Sequence, residues 1–139
     1  MKKKTTDDLI NEITSSNNIN GYLDTNQDEF LNTSLHLHLQ QLVAERQLQI
    51  SQVVEKAFKG EYIYQIFRGI RRPGRDVLIC IAIALELELK EAQLLLRTAR
   101  VSQLEARDKR DAVIIFALSN NLSVPETNDL LYENEYACL

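Results

Sequence analysis

The sequence predicts an all-α protein. Only four glycines and two prolines punctuate its 139 residues, and the long stretches between them carry leucine-rich spacing of helical period instead of alternation. The one β-branched run, Ala112 to Leu118 (AVIIFAL), could be a strand, but no second strand exists for it to pair with, so it reads as a buried helix. At 45% hydrophobic and 26% charged residues the composition is that of a globular protein. The length suits one domain with a sizeable core, or a small domain plus an extension.

No apolar run approaches the roughly 18 residues of a membrane helix, and the MKKK start leads into TTDD instead of an apolar signal core. A cytoplasmic location with no membrane contact is the expectation. Two cysteines make no disulfide framework: Cys80 falls inside an apolar helix and Cys138 beside the end, so both read as plain thiols.

Along the chain, Thr6 with Asp7 and Asp8 marks a helix start, and Leu9, Ile10 and Ile13 form one apolar stripe before the Ser15 to Asn20 polar cluster. Gly21 to Asn32, rich in Asn, Asp and Gln, reads as a loop or broken helix touching the core at Tyr22, Leu23, Phe30 and Leu31. Thr33 or Ser34 caps a helix to about Arg46 with Leu35, Leu39, Leu42 and Val43 on one face. Leu37 sits opposite them, which suggests that the N-terminal segment folds back over this helix. His36 and His38, two apart, lie about 200° from one another on a helix and cannot chelate a metal as an i, i+4 pair could.

Ser51 can cap the next helix, with Val53, Val54 and Ala57 as its stripe, and Gly60 permits a turn. From Glu61 to Arg68 a helical wheel separates two faces: Ile63, Ile66 and Phe67 on one, Glu61, Tyr64, Gln65 and Arg68 on the other, Tyr62 at the margin. Gly69 suits the position just after a helix. Pro73 and Gly74 then lead into Arg75 to Glu86, apolar on all sides and therefore central. Lys90 to Arg100 follows, with Ala92, Leu95, Leu96 and Ala99 inward. Beyond it, Arg107 to Asp111 (RDKRD) is a charged lead-in to the AVIIFAL helix. Ser123, Pro125 and Glu126 open a last helix with Leu130, Leu131 and Tyr132 inward.

Charge is unevenly spread. Lys59 to Arg75 holds five basic residues against Glu61 alone, in a chain of net charge −4. Residues 1–34 carry −3, residues 35–118 carry +3 and residues 119–139 carry −4, a basic middle between acidic ends.

On these residues the segment from Leu35 to about Glu88 resembles the Xre-type, phage-repressor-like family of bacterial helix-turn-helix DNA-binding domains. Gln52 opens the second helix, Tyr62 to Arg68 stands in the place of the recognition helix, and Gly69 with Pro73 closes the motif. The turn departs from the family pattern, because Phe58 and Lys59 intervene between Ala57 and Gly60. The resemblance implies a five-helix phage-repressor-like domain over residues 34–101. An N-terminal leader helix and loop (1–33) would precede it, and a C-terminal helical hairpin (102–139), a candidate dimerisation element, would follow.

It also implies a sequence-specific, double-stranded DNA-binding transcriptional regulator, reading two half-sites about 34 Å apart as a homodimer. Gln65 would pair with adenine, Arg68 with guanine, and Tyr64 with a thymine methyl or a phosphate. Gln52 would bond a phosphate, Tyr62 would border the reading face, and Lys59, Arg71, Arg72 and Arg75 would attract phosphates without regard to sequence. Glu61 would repel phosphate but could accept from cytosine N4. The alternative is a protein-interaction module that keeps this fold and binds another regulatory protein. No phosphate-cradling glycine loop, Cys-x-x-Cys, His-Glu-x-x-His or Ser/His/Asp context is present, so neither an enzyme, a cofactor nor a metal is expected.

Overall fold

The computed structural model describes residues 4–26 and 34–139. Among them every regular element is helical, with nine helices and no strand. The chain divides into two compact units, residues 1–32 and 33–139. Among the described residues no helix is long and apolar enough to cross a membrane.

In the first unit, α1 (Thr6–Ser15) begins at Thr5. Its hydroxyl accepts from the Asp8 N–H (3.1 Å), while the Asp8 carboxylate accepts from the Thr5 N–H (3.2 Å). A second helix, α2 (Ile19–Thr25), follows where the sequence suggested a loop or broken helix. Asn18 supplies the cap, its side-chain oxygen accepting from the Asn20 N–H (3.0 Å). Buried Asn26 ties the two helices together through Nδ2 to Glu12 Oε2 (2.7 Å) and Lys4 Nζ to Asn26 Oδ1 (2.6 Å). Ile10 and Ile13 of the α1 stripe are exposed, and only Tyr22 of the α2 apolar residues is buried. Phe30, Leu31 and Thr33 lie outside the described residues.

The second unit is built on α6 (Arg75–Ala84). Leu78 to Ala84 are all buried, as an unbroken apolar run demands of a central helix. It packs against α4 (Ile50–Ala57), α7 (Leu89–Thr98) and α9 (Val124–Glu133). Helix α3 (Leu35–Glu45) buries Leu39, Leu42 and Val43 and contacts α5 (Tyr62–Phe67) and α7, while Leu37 on its other side is exposed. Arg46, just past α3, pairs with Glu91 on α7 (2.7 Å), and the guanidinium holds that carboxylate below its ordinary pKa.

The segment after residue 101 is part of this same unit. Helix α8 (Lys109–Ser119) contributes Ile114 and Leu118 to the core that contains α6, and α9 contributes Val124 and Leu131. Residues 102–139 therefore share the core of the helices that precede them, while Phe116 and Tyr132 stay exposed. Leu131 points inward as expected, Leu130 only in part, and Tyr132 is 79% exposed. The Ser123 and Glu126 capping box opens α9.

Helix endings explain why so few glycines suffice. Gln47, Glu86, Arg100, Asn121 and Glu135 each take a left-handed backbone just after a helix, with φ between 52° and 64°. The next residue's N–H then returns to a carbonyl five residues back: Leu48 to Val43, Leu87 to Ala82, Val101 to Leu96, Leu122 to Ala117 and Tyr136 to Leu131, at 2.8 to 3.1 Å. This is the Schellman closure, and the residue after each left-handed position is apolar, which supplies its accompanying contact.

Candidate nucleic-acid interface

Helix α4 starts one residue before Ser51. Gln49 takes the extended cap backbone, and Gln52 Oε1 accepts from the Gln49 N–H (2.8 Å). Gln52 is thus exposed at the helix start with its oxygen engaged by the chain itself, leaving the amide NH2 for an outside partner. The helix closes at Phe58, left-handed at φ 57°, and Gly60 is left-handed again at φ 66°. Two left-handed residues turn the chain where the family pattern would use one glycine directly after the alanine. The Phe58 side chain is consequently 61% exposed.

Helix α5 has the two faces its wheel indicates. Ile63, Ile66 and Phe67 are buried to within 1% of complete, Tyr62, Tyr64 and Gln65 are half-buried and Arg68 is exposed. Gln40 of α3 donates from Nε2 to the Phe67 carbonyl (2.7 Å), satisfying one of the last carbonyls of α5. No local signal marks this contact, because the partners are 27 residues apart and glutamine on a helix surface is ordinary. Gly69, at φ 76°, lies over the His36 ring: a Cβ there would stand 2.8 Å from His36 Nδ1.

The loop after α5 folds back on the helix. The Gln65 carbonyl accepts from the Ile70 N–H (2.9 Å) and the Arg71 N–H (3.3 Å). Arg71 Nε donates to Gln65 Oε1 (2.9 Å), its guanidinium lies 5.9 Å from the Tyr62 ring centroid, and the Tyr62 hydroxyl donates to the Arg72 carbonyl (3.4 Å). Arg72 spends one amino group on the Ala99 carbonyl (3.1 Å) and is otherwise exposed. Arg71, Arg72 and Arg100 together line a cleft of about 320 Å³ with His36 at its wall. Arg100 was not singled out from the sequence, since nothing local marks it as a neighbour of a loop some 28 residues earlier. Tyr64 faces a different hollow, beside Gln40, Gln49 and Ser51. Lys59 is half-buried in the turn.

Arg75 does not belong with these outward cations. Its Nη1 and Nη2 donate to Asp111 Oδ1 (3.1 Å) and Oδ2 (2.8 Å), and Nε and Nη2 donate to the carbonyls of Ser102 (2.8 Å) and Gln103 (3.1 Å). Four of the five guanidinium N–H donors are thus taken internally, leaving one on Nη1. The Arg75 fork joins α6 to α8, so this residue, expected to attract phosphate, is engaged mainly within the protein. Cys80 is buried, and desolvation pushes its thiol up to about 11, an unreactive group.

Comparison with family models, with curated proteins and with solved structures returns no match to this chain.

Proposed function

We propose that α3 to α7 form a phage-repressor-like helix-turn-helix domain and that the chain is a sequence-specific, double-stranded DNA-binding regulator of transcription. The observation that carries this reading is the division of α5: Ile63, Ile66 and Phe67 seat it on the core while Tyr64, Gln65 and Arg68 stay accessible, with Arg71 and Arg72 in the loop behind. Glu61 is the only acid between residues 56 and 75. A short helix so presented can lie along the major groove, with Arg72 of the loop against the phosphates. Gln52 and Lys59 supply further phosphate contacts from the start of α4 and the turn. Two copies would read a symmetric pair of half-sites.

The test is a salt titration of binding to duplex DNA combined with selection of bound sites from a random duplex pool. Affinity should fall steeply as salt rises, and the recovered sites should share a sequence.

A second reading, a protein-binding module on the same fold, is favoured by one observation. Phe58 and Ile70, at either end of α5, are 61% and 68% exposed. Partner binding that is indifferent to salt and abolished by Phe58→Ser and Ile70→Ser would support it over DNA.

A further inference from the structure

We infer that Gln65 and Arg71 act as one base-reading unit and that the base they fit is guanine. The inference rests on the DNA-binding reading and deepens it.

A guanidinium has donors and no acceptor, so the atom of Gln65 that meets Arg71 Nε at 2.9 Å must be the amide oxygen. Gln65 then keeps its NH2 group and one lone pair of its oxygen. Arg71, with Nε engaged, keeps both Nη groups. The pair is held in register by the backbone, because the Gln65 carbonyl accepts from the N–H groups of Ile70 and of Arg71 itself. The Tyr62 ring restrains the guanidinium from another side. Arg68 has no such support: its side chain makes no hydrogen bond or ion pair with the described residues and is exposed.

The surface so formed is mainly donor: the Gln65 NH2 and both Arg71 Nη groups stand beside one remaining lone pair on Gln65 Oε1. Adenine needs a reader that accepts from N6 while donating to N7; the one acceptor here is the second lone pair of Gln65 Oε1, so an N6 amino group would have to share that oxygen with the Arg71 guanidinium. Cytosine presents a donor. Guanine presents two adjacent acceptors, N7 and O6, and matches. Gln65 is thus a positioning residue as much as a reader, Arg71 carries the base preference, and Arg68 becomes a phosphate contact.

Sites selected from a random duplex pool by the full chain and by four single variants test this. The unaltered chain should enrich a guanine that Arg71→Ala and Gln65→Ala both lose, the preference at that position falling about tenfold or more. Gln65→Glu should keep the guanine while lowering overall affinity, since a carboxylate still accepts from Arg71 Nε but repels phosphate. Arg68→Ala should keep it too and weaken all sequences alike. An A·T pair at the position altered by Gln65→Ala, or base preferences unchanged in Arg71→Ala, overturns the inference and leaves DNA binding standing. If the unaltered chain retains no duplex even at low salt, both readings fall together.

Discussion

Arg75 and Asp111 form a two-pronged ion pair at 2.8 and 3.1 Å, and their chain neighbours repeat it in reverse, Arg110 donating to Asp76 at 3.0 and 3.1 Å. Two Arg-Asp dipeptides, one at the start of α6 and one in the first turn of α8, thus exchange partners. Asp111 is buried, and it also accepts from the Glu105 N–H (3.0 Å). The exchange fixes the C-terminal helices to the core by charge as well as by apolar packing.

Removing one prong should leave a buried charge without its counterion. Arg75→Ala is expected to cost about 2–3 kcal/mol in urea unfolding, somewhat less than a fully buried pair would lose, because the Arg75 side chain keeps 23% of its exposure. On the proposed DNA-binding function, that internal role also predicts an unchanged salt dependence of duplex binding in this variant, whereas Arg72→Ala should lower the slope by about one.

The same pair sets an acid response. Burial pushes the Asp111 pKa up, but the Arg75 hydrogen bonds and the Glu105 N–H outweigh it and hold the group below 3.8. A carboxylate depressed on folding stabilises above its unfolded pKa and loses that contribution as pH falls through the folded value. In Arg75→Ala the Glu105 N–H and the charge of Arg110 are left to oppose burial, so the depression shrinks. The stability gap between the variant and the unaltered chain should therefore be widest near neutrality and narrow below about pH 4, as paired urea melts at several pH values would show.

His38 responds at milder pH. Desolvation lowers its pKa below 6.5, opposed by the charge of Glu45, and its Nε2 is buried with no hydrogen-bond partner among the described residues. The unfolded chain takes up the proton first, so stability should be full above pH 6.5 and decline as pH falls from there towards the folded pKa. In His38→Gln that decline should vanish; a urea midpoint still falling across the same interval would assign it to another group.

Two leucine-scale tests separate core from surface in the last helix. Leu131→Ala should cost about 3 kcal/mol, the usual loss for a fully enclosed leucine. Tyr132→Ala, next to it, should change stability by less than about 0.5 kcal/mol. Comparable losses at both positions would contradict the packing of α9.

The two turn glycines make a graded pair. Gly60→Ala meets open space and should cost about 1 kcal/mol for its left-handed backbone alone. Gly69→Ala adds a Cβ that displaces the His36 ring and should cost about 2 kcal/mol or more.

Local signals made the helices and the two faces of α5 legible, because burial of Ile63, Ile66 and Phe67 follows from spacing alone. The centrality of α6 was legible for the same reason. What escaped depends on residues far apart or on unmarked backbone. RDKRD reads as a solvated lead-in until folding brings Arg75, 36 residues earlier, against Asp111. The Asn-rich stretch around Asn18 reads as a loop, yet asparagine is also a good cap. Gln65 reads as a free side chain until its oxygen meets Arg71, six residues on.

The left-handed closures at Gln47, Glu86, Arg100, Asn121 and Glu135 have a practical side. Each asks a residue with a Cβ to hold a shape that glycine holds without penalty, at about 0.5–1 kcal/mol apiece after glycine's greater freedom in the unfolded chain is deducted. The five sites are separate in sequence and share no closing hydrogen bond, so glycines at Gln47, Glu86, Asn121 and Glu135 should add nearly independently. The fold thus holds several degrees of unused thermal headroom, reachable without touching α5 or its loop.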